Sequence, residues 1–76
     1  MVTVNNKQRW VDFGEFIRDG RMRGGLYQRE LADKVGITQS HISLIEKGER
    51  GADLFLAMKI CEVLGLDLTE YVKKYI

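Results

Sequence analysis

The sequence contains no proline, one cysteine and one histidine in 76 residues, and each shortage closes off a class of protein. A lone cysteine forms no internal disulfide, and one cysteine with one histidine does not make a zinc site. No apolar run approaches the roughly 20 residues that span a bilayer, and no leader segment opens the chain, so a cytoplasmic protein without membrane contact is expected. The single histidine has no catalytic partners, the carboxylates are dispersed, and no phosphate-binding glycine loop precedes a helix. We therefore expect no cofactor and no enzymatic activity. Twelve basic residues nearly cancel eleven acidic ones, for a formal net charge of +1. That total does not advertise a nucleic-acid partner, so the placement of charge has to decide.

The absence of proline also leaves nothing to break a helix from within. Apolar residues recur at helical spacing along most of the chain, and no alternating pattern of useful length appears beyond Met1 to Val4. The fold class expected is all-α. The length allows one domain, near the lower limit for a self-supporting core. Residues 1–8 read as a flexible N-terminal arm and residues 9–76 as the domain.

The most informative stretch runs from Gln28 to Lys47. Leu31, Ala32 and Val35 mark the inner face of a short helix, with Arg29, Glu30, Asp33 and Lys34 outward. Gly36 fits a C-cap with positive φ, Ile37 folds back as an apolar residue, and Thr38 fits the N-cap of a second helix beginning at Gln39. On that helix Ile42 and Ile45 point inward. Ser40, Ser43, Leu44 and Lys47 point outward, and Gln39 reaches the same surface from the helix start. Small polar groups, a carboxamide, a cation and one apolar side chain form a set suited to base edges in a major groove.

This stretch resembles the helix-turn-helix of the phage-repressor, Cro and XRE-type family of DNA-binding proteins. The likeness rests on Gln28, Leu31-Ala32, Gly36, Ile42, Ile45 and Glu46-Lys47-Gly48, and extends over roughly Phe13 to Leu66. It implies a compact five-helix, lambda-repressor-like DNA-binding domain in which helices 2 and 3 form the helix-turn-helix. The implied function is a transcriptional regulator, a repressor, that binds double-stranded DNA at a palindromic operator. An antitoxin or regulatory role toward a toxin or other protein partner, on the same fold, is the alternative. The base-reading residues would be Gln39, Ser40, Ser43 and Leu44. Gln28, at the family's backbone-contacting position, Lys47 and Arg50 would hold phosphates. Tyr27 stands where the family has Ser or Thr as a cap; either its hydroxyl meets a phosphate or the cap is weakened. His41, at the edge of the buried face, is open to a phosphate contact or a packing role.

The remaining helices follow from the same periodicity. Helix 1, from about Arg9 to Arg23, gathers Trp10, Phe13, Phe16, Ile17 and Gly20 on one side, and Gly20 suggests a closely approaching helix. Arg18, Arg21, Arg23 and Arg29 cluster near the start of helix 2. Arg21 nevertheless lies on the inner edge of helix 1, where a cation needs a partner, and Glu46 is the candidate, supported by an Arg–Glu pair at matching positions in some family members. Asp53 begins helix 4, with Ala57, Ile60, Cys61 and Leu64 inward and Phe55 and Met58 unexpectedly outward. Asp67 or Thr69 begins helix 5, whose apolar stripe is Leu68, Val72 and Tyr75, widened by Tyr71 and Ile76. The apolar surplus of Phe55, Met58, Tyr71, Val72, Tyr75 and Ile76 suggests a homodimer joined through residues 53–76.

Overall fold

The computed structural model describes residues 6–75. Residues 1–5, Ile76 and the side chain of Tyr75 lie outside the described residues, and with them most of the expected arm and two members of the C-terminal apolar set. Five helices follow one another: α1 (Asn6–Arg23), α2 (Gln28–Val35), α3 (Gln39–Lys47), α4 (Leu54–Leu64) and α5 (Leu68–Tyr75). The first begins three residues before the expected Arg9, where the Gln8 carboxamide donates to Asp12 Oδ1 at 3.0 Å one turn on.

Helix ends follow their local chemistry. Gly36 takes φ of 88°, and both its own N–H and that of Ile37 donate to the Ala32 carbonyl, closing α2. Two residues later the Thr38 hydroxyl accepts from the His41 N–H at 3.1 Å and opens α3. Asp53 does the same for α4, its carboxylate accepting from Leu56 N–H at 2.8 Å. Asp67 rather than Thr69 precedes α5, its side chain accepting from Thr69 N–H at 2.9 Å. The joined ends of α2 and α3 are therefore fixed by local bonds, a pair of backbone bonds at one and a side-chain cap at the other.

Burial at helical spacing assembles the core from all of α1 to α4: Phe13, Ile17, Leu31, Ala32, Ile42, Ile45, Ala57, Ile60 and Cys61 are buried. The first helix lies across α3, α2 packs on both α3 and α4, and α5 leans on α4. Ala32 sits in this core beside α3, where a small side chain lets α2 approach.

The closest approach of α1 to α3 is set by Gly14, a residue that periodicity alone did not single out. A Cβ there would strike the Ile45 carbonyl oxygen and would come within 2.6 Å of the Glu46 carbonyl oxygen. Both are backbone atoms of the last turn of α3, and the Ile45 carbonyl already accepts the Gly48 N–H that caps the helix. Gly20, which the sequence marked as the point of close approach, instead faces the Leu66 side chain, not a helix backbone.

Tyr71 also departs from expectation. Its ring packs on Phe16 and Phe13, with centroids 5.0 and 5.5 Å away, and its hydroxyl donates to the Arg9 carbonyl at 3.0 Å. The half-buried residues of α5 are Leu68 and Tyr71, while Val72 is turned to the surface. Anchoring the tyrosine at both ends, ring and hydroxyl, against α1 leaves its neighbour Val72 facing outward.

Two outcomes check this packing. Gly14→Ala should lower stability in urea melts by about 1–3 kcal/mol or more, because backbone must shift. Gly20→Ala should be near neutral, since Leu66 can turn aside and alanine is favoured over glycine in a helix by about 1 kcal/mol. A well-tolerated Gly14→Ala would contradict the α1–α3 crossing.

Candidate nucleic-acid interface

The exposed face of α3 presents Gln39, Ser40 and Lys47 to solvent, with Ser43 and Leu44 half-buried among them. Gln39, Ser40, Ser43 and Leu44 line one shallow concavity together with Gln28 from the start of α2. A neighbouring concavity joins Gln28 and Gln39 to Arg21, Tyr27 and Arg29. The four candidate base readers and one phosphate candidate thus share a surface, and Gln28 stands at the junction of its two halves. Arg50 is exposed just beyond the Gly48 cap that ends α3.

The electrostatics of this face depend on one carboxylate. Glu46 is the only acid in α3, and it is turned away from the surface, with residue exposure of 6%. Arg21 meets it edge-on: Nε donates to Oε2 at 2.6 Å and Nη2 donates to Oε1 at 3.0 Å. A third guanidinium bond, from Nη1 to the Leu26 carbonyl at 2.7 Å, pins the α1–α2 connection. Gln28 Nε2 also donates to Glu46 Oε1, at 3.1 Å. Every polar group of the pair is used, and among the described residues no buried side-chain nitrogen or oxygen lacks a partner. The result is a reading helix whose outer face carries no negative charge.

Arg21 is thereby withdrawn from the arginine cluster that the sequence suggested. Its side chain is 11% exposed, whereas Arg18, Arg23 and Arg29 remain on the surface. Arg23 pairs with Asp19 at 2.9 Å, with both side chains 67% exposed, which contributes little to stability.

At the start of α2, Tyr27 makes no capping bond through its side chain. Half of a capping box remains, because Glu30 reaches back and accepts from the Tyr27 N–H at 2.9 Å. The spacing Tyr27-x-x-Glu30 carried that signal in the sequence. The phenol itself is 75% exposed beside Arg29, free for another partner. His41 is half-buried on α3, and its backbone N–H serves the Thr38 cap.

Of the apolar surplus assigned to a dimer, Phe55 is 80% exposed, Met58 and Val72 are exposed, and Leu54 joins them on α4. Tyr71 does not, being held against α1 as described. Cys61 lies in the core, where burial first and the Asp67 carboxylate second push its thiol from the ordinary 9.0 to about 11.

Two helices of this length, joined through a glycine turn and an N-capping threonine, the second with an acid-free outer face, form a helix-turn-helix. A family model described as helix-turn-helix matches residues 17–71. The chain belongs to the Cro and XRE-type helix-turn-helix family of DNA-binding transcriptional regulators. It is 43% identical over 54 residues to an uncharacterized HTH-type transcriptional regulator of Methanothermobacter thermautotrophicus, covering 71% of this chain and 78% of that one. It is 33% identical over 54 residues to the uncharacterized HTH-type regulator YgzD of Bacillus subtilis, covering 71% and 82%. Among solved structures it resembles the restriction-modification controller protein C.AhdI of Aeromonas hydrophila, with a TM-score of 0.81, 28% identity, and coverage of 88% of this chain and 97% of that one. No helix among the described residues is long and apolar enough to cross a membrane.

Three measurements bear on this site and its surroundings. Arg21→Ala or Glu46→Ala should cost about 3–5 kcal/mol by leaving a buried charge alone, whereas Arg21→Met combined with Glu46→Leu should be close to neutral. Denaturant melts in which the two single losses simply add would remove the pair from the account. The thiol of folded Cys61 should resist a disulfide reagent near about pH 8 and react only on unfolding. Because its folded pKa is raised, its contribution to stability is fully present below the unfolded value of 9.0 and is lost as pH rises toward about 11.

Proposed function

We propose that this protein is a transcriptional repressor that acts in the cytoplasm, binding a palindromic operator as a homodimer and reading the major groove with α3. The observation that carries the reading is the outer face of α3, polar and free of acid because its only carboxylate is spent on Arg21. Gln39, Ser40, Ser43 and Leu44 are assigned to base edges. Leu44 offers no hydrogen bond, so its natural target is a thymine methyl. Tyr27, Gln28, Lys47 and Arg50 are assigned to phosphates, flanking the readers from both sides, as proteins commonly hold register on a duplex. The likeness to a controller protein of a restriction-modification system supports a regulatory role.

Dimerisation is supported by the exposed Leu54, Phe55 and Met58 on α4 and Val72 on α5. A two-fold axis near them would set two copies of α3 into successive major grooves, about 34 Å apart, and double the sequence read. A helix of nine residues contacts few base pairs alone.

Selection from random duplexes should return an inverted repeat. Leu44→Ala should relax preference at one base pair per half-site by about 1–3 kcal/mol, while Lys47→Ala should weaken all sequences and lower the salt slope by about one. An unaltered selected site and affinity for Leu44→Ala would remove that residue from the reading set. In sedimentation at micromolar concentration the wild type should be a dimer that Phe55→Glu dissociates, with operator affinity lost in parallel. A wild-type monomer that binds a full palindrome non-cooperatively would end the dimer model.

A further inference from the structure

We propose that Glu46 positions Gln28 for DNA, making a buried carboxylate part of the interface although no nucleotide touches it. This rests on the DNA-reading function above and extends it to a residue behind the surface. Glu46 presents acceptors only, so Gln28 must turn its NH2 group, not its carbonyl, toward the interior. A surface glutamine is otherwise free to flip end for end. Here one Nε2 proton is held by Glu46 at 3.1 Å, and the second proton and Oε1 are left for the surface that Gln28 shares with Gln39, Ser40 and Tyr27.

The anchor is itself immobile. Glu46 is fixed by two bonds from Arg21, and Arg21 by a third to the Leu26 carbonyl. Gln28 stands on α2, Glu46 on α3 and Arg21 on α1. The carboxamide that meets the phosphate is thus held relative to three helices rather than one, and a bond to an ionised acceptor is stronger than one between neutral groups. The remaining Nε2 proton is the donor for the phosphate, presented in one orientation before DNA arrives.

A double-mutant cycle on DNA affinity separates positioning from stability. One arm replaces the pair with Arg21→Met and Glu46→Leu, which removes the anchor while filling its space; the other is Gln28→Ala; the third combines them. All are measured on the duplex selected by the wild type, below the melting temperature of each variant. The apolar pair leaves net charge unchanged and should lower affinity through two routes, a general loosening of the α1–α3 contact and release of Gln28. The second route should vanish when Gln28 is already alanine, so the loss in that background should be smaller by about tenfold. Equal losses in the two backgrounds overturn the proposal. A wild-type chain that selects no duplex fails the functional reading itself, whereas additive losses in a chain that does select one fail only the role of Glu46. Should the apolar pair not fold, the side-chain amide resonances of wild-type Gln28 decide: one proton shifted downfield and slow to exchange, unlike those of exposed Gln39, is expected, and an averaged, fast-exchanging pair overturns it.

Discussion

The buried Arg21–Glu46 pair is the constraint on which the rest of this molecule depends. Taking two charges out of water is expensive, and their attraction offsets the penalty only when every donor and acceptor finds a partner. Here the carboxylate receives Arg21 twice and Gln28 once, and the guanidinium also holds the Leu26 carbonyl. The pair therefore ties α1 to α3 and to the loop before α2. It also removes from the surface of α3 the one negative charge that would repel a phosphate backbone.

Such a pair can form only if α1 and α3 lie close enough for the side chains to meet. Gly14 permits this by letting the carbonyls of Ile45 and Glu46 approach its Cα, at the very turn of α3 from which Glu46 projects. Backbone proximity and the ion pair are thus two parts of one contact. Gly48 repeats the device beyond the end of α3, where an added Cβ would meet Val11 of α1 at 2.5 Å. The reading helix is held at its C-terminal end by glycine contacts with α1, and at its start by the short turn to α2. A rigid presentation of this kind suits recognition, because side chains that read base edges must arrive in register.

The C-terminal part is organised differently. Tyr71 closes the far side of α1 through Phe13, Phe16 and the Arg9 carbonyl. That leaves Phe55, Met58 and Val72 exposed among the described residues. One side of the domain is completed by its own residues and the other presents apolar surface outward.

Most of the secondary structure was legible in the sequence because it is decided locally. Gly36 with Thr38, Asp53 and Gly65 act through bonds within a turn or two of chain, and the spacing of Leu31, Ala32, Ile42 and Ile45 marks inner faces without reference to any partner. The composition of the outer face of α3 was legible for the same reason. What depends on where helices cross was not. Gly14 and Gly20 are both helical glycines among apolar neighbours, and only the crossing angle decides that the first meets backbone and the second a leucine side chain. Tyr71 and Val72 are both apolar on a short helix, and only the position of α1 decides which is covered. The Arg21–Glu46 match could be anticipated from an inward cation needing an acid, but the third member, Gln28, could not. The sequence by itself determined the helices, their ends and their polar faces; the tertiary structure decided which residues from different helices share a hydrogen bond, because those distances exist only after packing.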